Sequence, residues 1–417
     1  MLITDLYFLK YTLGAALICG LTAIVGVFAY LKKQSLVGDA LSHAILPGVC
    51  VGFMVSGTKS PVVLLIGALV AGAIALWCIG AIERFTKIKM DASIAIVMVV
   101  FFAFGAVLLS YIQQNGNGQQ TGLEHFLFGQ IASITMVDLK IYGCFGSVLF
   151  LFLILFYRAN KWVLFDRNHA AVLGLKIGFM DALLAMITVV GVAIGVQSVG
   201  IVLISALLLT PAAAARFWTH KLNKIFMFSL LFGILAGVFG VTISFAAPSM
   251  PTGPWIVIFL FVVMLGALIF APNGLLKRYL KSKKFDKKIR NENILKLLFQ
   301  AKEREVESLS VLDILNLRHF DTIPLSNGLL DLVQQSYLLK TNDSYKLSLS
   351  GEVEAARIVR LHRLWEIYLQ EKLNIKTDHL HPSAESMEHI ITPELEIELL
   401  KELNFPTEDP HNKQIPY

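Results

Sequence analysis

The chain has 417 residues, of which 56% are hydrophobic and only 16% charged, with a mean hydropathy of +0.67. That balance excludes an ordinary soluble domain and points to a polytopic membrane protein. The formal net charge of +6 hides two regions: the apolar character stops near Asn273, and the remaining third reads as a soluble domain with an excess of acids.

Apolar runs long enough to cross a bilayer recur at about 11–30, 41–57, 61–82, 92–112, 138–157, 178–195, 198–215, 225–247 and 254–272. All nine are predicted to be helices, because an open strand edge finds no hydrogen-bond partners in lipid. The N-terminus lacks a basic leader and a small-residue cleavage site, so it reads as a span and not as a cleaved signal. Cys19, Cys50, Cys78 and Cys144 all fall in apolar segments without paired spacing, which predicts packing residues and neither a disulfide nor a zinc knuckle. One set of alternate loops is rich in basic residues, among them Lys32, Lys33, Arg84, Arg167, Lys176 and Arg216. The other set holds only Lys10, Lys59 and Lys140. The positive-inside rule therefore puts the N-terminus outside the cell membrane and the C-terminal third in the cytoplasm.

The second span carries an ionisable pair. In "SLVGDALSHAILPG" (35–48), Asp39 and His43 stand four apart and share one helix face. Such a pair is costly in an apolar helix unless it faces a cavity or a partner. A carboxylate with an imidazole suits Mn²⁺, Zn²⁺ or Fe²⁺ better than Cu⁺. From spacing alone, a structural Asp–His hydrogen bond near a helix end fits as well as a metal site.

"GDALSHAILPG" resembles the hallmark of the metal-type permease family of bacterial ABC importers, which carry manganese, zinc or iron. "FLFGQIASITMVDL" (126–139), "LGLKIGFMDALLA" (173–185), "VGIVLISALLLTPAAAARF" (199–217) and "PTGPWIVI" (251–258) resemble the same family in the same order. The resemblance covers roughly residues 10 to 275. It implies a helical permease subunit in which Asp39 and His43 contact the permeating ion. The loop "FDRNHAAVLGLKI" (165–177) can form a short amphipathic helix with Ala171, Leu173 and Leu175 among polar neighbours, or be a plain connector. The resemblance implies that it docks on an ATPase, through Asp166, His169, Ala171, Leu173, Gly174 and Leu175. The chain has no G-x-x-x-x-G-K-[ST] and so no phosphate-cradling loop for ATP. The importer is thus expected to need a separate ATPase subunit, a second permease subunit (a further copy or a related chain) and an external solute-binding protein. The permease itself is not expected to be an enzyme.

The expected division is a transmembrane permease domain over 1–275, a basic juxtamembrane linker over 276–290, a winged-helix-like part over 291–350 and a helical metal-binding and dimerisation part over 351–417. The linker, "KRYLKSKKFDKKIR" (277–290), reads as a collar for anionic lipid, with nucleic-acid binding as the alternative. Beyond it lie six of the ten histidines. "RLHRLWEIYL" (360–369) places His362 and Glu366 at i, i+4. "HLHPSAESMEHI" (379–390) offers His379 and His381, then Glu385, Glu388 and His389 on one helical face. Two carboxylates and an imidazole make a partial shell for Mn²⁺ or Fe²⁺. A solvated acidic face, in which each pair is worth about 0.2–0.5 kcal/mol, fits the spacing equally.

The order of elements adds to this. A helix precedes a candidate helix-turn-helix, "LSVLDILNLRHFDTIPLSNGLLDLVQQSYL" (309–338), and a short wing, "LLKTNDSYKLSLSG" (338–351). The His/Glu helices and the tail "DPHNKQIP" (409–416) follow. This resembles the diphtheria-toxin-repressor and manganese-regulator family of metal-sensing repressors. The resemblance implies that His362, Glu366, His381, Glu385, Glu388 and His389 are ligands. Glu385 stands where iron-type members have cysteine and manganese-type members have glutamate, which favours Mn²⁺. There are two departures. Asn293 and Lys296 stand where the family supplies further ligands from its first helix, so one of two metal sites is expected to be incomplete. The expected recognition helix, about 324–335, has no Lys or Arg, and Asn327, Gln334 and Gln335 are thin provision for reading DNA, so DNA is a disfavoured partner.

The leading expectation is a permease subunit of an ATP-driven importer of divalent transition metal, with a cytoplasmic metal-sensing domain. A repressor stored on the membrane and released by proteolysis is the alternative, and a simple dimerisation clamp is a third.

Overall fold

The computed structural model describes residues 2–57, 60–115, 134–201, 203–246, 250–373, 385 and 387–417. The chain forms two compact units, Met1–Lys277 and Arg278–Tyr417.

In the first unit the helices are α1 Leu2–Leu31, α2 Ser35–Ala44, α3 Leu46–Ser56, α4 Pro61–Phe85, α5 Met90–Asn115, α6 Met136–Leu155, α7 Tyr157–Phe165, α8 Arg167–Val172, α9 Ile177–Val199, α10 Ile204–Trp218, α11 Leu222–Ala246 and α12 Thr252–Phe270. Among the described residues, eight helices are long and apolar enough to cross a membrane. The remaining expected stretch, 198–215, supplies the shorter apolar helix α10. Gly200, at φ 88° just beyond the end of α9, separates that helix from α10. Large apolar side chains such as Trp77, Val100, Phe104 and Leu155 point outward. Helices apolar on both faces are what hydrocarbon surroundings select.

Helix starts follow local chemistry. Thr135 and Asp138 form a capping box at the start of α6: the Asp138 amide donates to Thr135 Oγ1 at 3.2 Å, and the Thr135 amide to Asp138 Oδ2 at 2.7 Å. Pro61 opens α4, where its missing N–H costs nothing. The second expected span is interrupted for a single residue, Ile45, which keeps helical φ and ψ (−76°, −18°), and α2 and α3 together count as one of the eight. Pro47 explains the interruption: it has no N–H to donate to the carbonyl of His43, four residues back.

Helix α1 packs against α9, α10 and α11. The backbones come very close, as small residues in membrane helices permit. A Cβ on Gly26 would stand 1.6 Å from the carbonyl oxygen of Leu208 on α10. Between α3 and α4, a Cβ on Gly48 would stand 2.1 Å from the Gly67 carbonyl oxygen, and one on Gly67 would stand 2.2 Å from that of Gly48. Buried hydroxyls stitch the same helices: Ser229 Oγ donates to the Ala23 carbonyl at 2.9 Å.

The second unit begins on helix α13, Leu275–Lys302. Strand β1 (Leu309–Ser310), α14 (Val311–Leu317), α15 (Thr322–Gln334), β2 (Leu338–Thr341) and β3 (Ser344–Leu347) follow. The strands form an antiparallel sheet in the order β1-β3-β2, with Leu309 opposite Tyr345 and Leu338 opposite Leu347. Two helices followed by a hairpin are the expected helix-turn-helix and wing. Ile294, Leu298, Ile314, Leu325 and Leu329 form their shared core. Helices α16 (Leu349–Leu373) and α17 (Pro393–Glu402) complete the unit, and Leu364, Ile367, Leu399 and Ile415 form a second core.

Candidate functional site

Asp39 and His43 lie on α2, immediately before the interruption. Asp39 Oδ1 and His43 Nε2 are 3.8 Å apart, and the side chains are 35% and 21% exposed. That is too long for a hydrogen bond. Ligand bonds of about 2.0–2.2 Å leave two donors of one ion roughly 3–4 Å apart, so the gap suits a shared cation. Ser42 Oγ donates to the Asp39 carbonyl at 2.6 Å, tightening the same turn. The Phe102 ring on α5 meets the His43 ring edge-on, with centroids 4.8 Å apart, and walls one side. His43 Nδ1 is buried with no hydrogen-bond partner among the described residues. Nothing in the sequence signalled Phe102, which lies in a uniformly apolar run.

The loop expected to couple to an ATPase is built on α7 and α8. Asp166 caps α8, its Oδ1 accepting from the His169 amide at 2.9 Å. The helix is shorter than the sequence suggests and ends at Val172, with Gly174 at φ 77° just beyond. The Gly174 and Leu175 amides close that end on the carbonyls of Ala171 and Ala170. Ala170 is the buried residue of α8, packed with Val163, Met180 and, partly, Leu175. Asp166, His169, Ala171 and Gly174 are exposed, and Val172 (85%) with Leu173 (54%) forms an exposed apolar knob. Asp181, in the second turn of α9, ties this loop to the turn before α2. It accepts from Arg167 and, at 2.8 Å, from Lys32 Nζ. The signal for Asp181 was an acid inside the quoted "LGLKIGFMDALLA"; its partner Lys32 lies 149 residues away.

In the second unit four of the expected ligands stay linked by pairwise contacts, His389 through its Nε2 3.5 Å from Glu388 Oε1, and Glu385 leaves them. His362 and Glu366 on α16 stay together, with His362 Nε2 3.1 Å from Glu366 Oε1. Glu388 joins them: His362 Nδ1 lies 2.5 Å from Glu388 Oε2. The ammonium of Lys296 on α13 also sits there, at 3.0 and 2.8 Å from the two Glu388 oxygens and 3.0 Å from His362 Nδ1. His389 turns to Glu292, with Nδ1 2.6 Å from Oε2, and its carbonyl accepts from Lys288 at 2.9 Å. Glu385 is exposed and 3.4 Å from Arg318. His379 and His381 lie outside the described residues. Burial disfavours the imidazolium of His362, but hydrogen bonds to Glu366 and Glu388 outweigh it and hold its pKa above the ordinary value. Burial also penalises the Glu388 carboxylate, yet the His362 hydrogen bond and the Lys296 charge hold its pKa below the usual range. Among the described residues, no three His, Cys, Asp or Glu side chains are grouped so as to hold a metal ion.

A bundle of apolar helices with an ionisable pair at a helix interruption, joined to a winged-helix unit, defines a membrane transport subunit with a repressor-like appendage. The chain belongs to the ABC 3 transport family, which it matches over residues 5–271. Residues 349–417 match the iron dependent repressor, metal binding and dimerisation domain. The manganese transport system membrane protein MntC of Bacillus subtilis is 34% identical over 375 residues, covering 88% of this chain and 86% of that protein. The zinc transport system membrane protein TroC of Treponema pallidum is 39% identical over 267 residues, covering 64% of this chain and 90% of that protein. Among solved structures, PsaBC from Streptococcus pneumoniae in complex with Fab superposes with a TM-score of 0.59 at 33% identity, over 66% of this chain and 95% of that one.

Proposed function

We propose that the chain is the permease subunit of an ATP-driven importer of divalent transition metal, with Mn²⁺ favoured and Zn²⁺ or Fe²⁺ as the alternatives. The observation that carries this reading is the Asp39–His43 pair, two hard or borderline donors spaced for one ion at a helix interruption in an apolar bundle. Relatives named for manganese and for zinc support the substrate class without choosing within it. Deleting the gene is expected to lower cellular content of the carried metal several-fold, read by elemental mass spectrometry. Unchanged Mn, Zn and Fe would overturn the reading.

In this reading the N-terminus is outside, and the loop 165–177 and the second unit face the cytoplasm, as the basic loops favour. Val172 and Leu173 dock on the ATPase, a solute-binding protein delivers the ion, and a second permease subunit completes the path. Asp181 links the docking loop to the turn that leads into α2, so it passes motion towards Asp39 and His43. Asp181→Asn is expected to cut ATP-driven uptake several-fold at unchanged protein level, by releasing Arg167 and Lys32. Uptake equal to wild type would remove Asp181 from the coupling route.

The second unit acts as a regulatory and dimerising module of the permease. Metal sensing by His362, Glu366, His381, Glu385, Glu388 and His389 is the expectation from the sequence, but the positions of Lys296 and Arg318 oppose it for Glu388 and Glu385. A DNA-reading role is not favoured either. The exposed positions of α15 are Thr322, Ile323, Pro324, Ser326, Asn327, Leu330 and Gln334, with no lysine or arginine, and phosphate contacts need such cations.

A further inference from the structure

The match of the second unit to a metal-binding repressor domain implies a bound metal, and its described residues do not fit one. Glu388 offers both its oxygens, its side chain fully buried, and both are taken by Lys296 Nζ. The same ammonium lies 3.0 Å from His362 Nδ1. An ion bonded to Glu388 and to His362 Nδ1 would have to occupy the space that this nitrogen fills, beside its positive charge. Glu385 offers no substitute, since it is exposed and paired with Arg318.

The Lys296 side chain is 4% exposed. A buried ammonium is costly unless it is paired and hydrogen-bonded, and here a carboxylate takes it with both oxygens. The contacts join three pieces of chain: α13 through Lys296, α16 through His362, and the segment 387–391 through Glu388. Around them, Lys288 donates to the His389 carbonyl and Glu292 holds the His389 ring, so α13 grips the same segment at a second place. A metal ion would join separate segments in this manner, by drawing donors from each to one positive centre.

We propose that the Lys296 ammonium is the resident cation of this site: it replaces a metal ion as the positive centre that fastens α13 and α16 to the 387–391 segment, so these three pieces hold one arrangement whether or not metal is present. The metal-responsive step is thereby removed from this part of the unit.

The test is hydrogen–deuterium exchange on the full-length chain in lipid nanodiscs, in EDTA and in millimolar MnCl2. The readout is protection of peptides covering 290–300, 358–368 and 387–392. Wild type is expected to show the same protection in both. Lys296→Met is expected to exchange at least tenfold faster in all three peptides in EDTA. Lys296→Glu, which puts a carboxylate in place of the ammonium, is expected to be unprotected in EDTA and to recover with MnCl2, a response that a merely structural lysine would not produce. The wild-type comparison needs no variant to fold: a gain of protection on adding MnCl2 would overturn the proposal. So would wild-type protection in Lys296→Met, or a Lys296→Glu chain that Mn²⁺ protects no more than it does wild type.

Discussion

Asp39→Ala is expected to reduce metal uptake to the level of cells lacking the chain, with the protein still present in the membrane in normal amount. The physical reason is charge. At an effective dielectric near 20, unit charges about 4 Å apart attract by roughly 4 kcal/mol, and a dication gains about twice that. Part of this is returned as desolvation, but no other carboxylate lies on α2 to supply it. His43→Ala removes a neutral donor and leaves the charge, so a smaller loss is expected, on the order of tenfold. Asp39→Glu keeps the charge on a longer arm and should retain part of the activity. The ordering of the three is the diagnostic, read by uptake of radioactive or isotopically enriched Mn²⁺ against immunoblot level. Undiminished uptake in Asp39→Ala would take that residue out of the path.

The largest structural effect is expected from Gly26→Ala. Its added Cβ would lie 1.6 Å from the Leu208 carbonyl oxygen, a distance that only separation of α1 from α10 can relieve. Both partners are backbone, so no rotamer change helps. Leu208 is fully buried, and so are Val25 and Val27 beside the glycine. Parting the helices would also open the packing around them. The cost should reach or exceed the upper end of the roughly 1–3 kcal/mol typical of overpacking. Gly80→Ala on α4 is the control, since its Cβ meets nothing within 4 Å. It should leave assembly intact and even favour the helix slightly, because alanine forms helix better than glycine. Size-exclusion profiles in detergent would show Gly26→Ala aggregated or depleted and Gly80→Ala like wild type.

What was legible in the sequence was what depends on local spacing. Hydropathy marks the spans because each must satisfy its backbone internally. The pairs Asp39/His43 and His362/Glu366 were visible because positions four apart share a helix face. Asp166 and Gly174 stood out only as docking residues that the resemblance implies; their places at the two ends of α8, and its end at Val172, were not legible. The long-range partnerships were hidden. Lys296 meets Glu388 across 92 residues, and nothing in either local stretch announces the other. Lys296 could be recognised from the sequence as unable to bind a metal, but not as standing among the expected ligands. Glu385, expected beside Glu388 and His389 from a helical spacing, instead turns to Arg318. The helical face assumed for 385–389 gives way to turn at 388 to 390, and the periodicity argument lapses with it.

The mutual approach of Gly48 and Gly67 limits how this protein can change over evolutionary time. Each glycine's missing side chain is the room that the other's carbonyl occupies. A larger residue at either position is blocked, and enlarging both compounds the clash instead of relieving it. No second substitution at the partner site can rescue the first. The two positions are therefore closed to drift from either side. Variation around this contact has to enter through exposed residues such as Val51, Ile66 and Val70, where the chain itself leaves room for added volume.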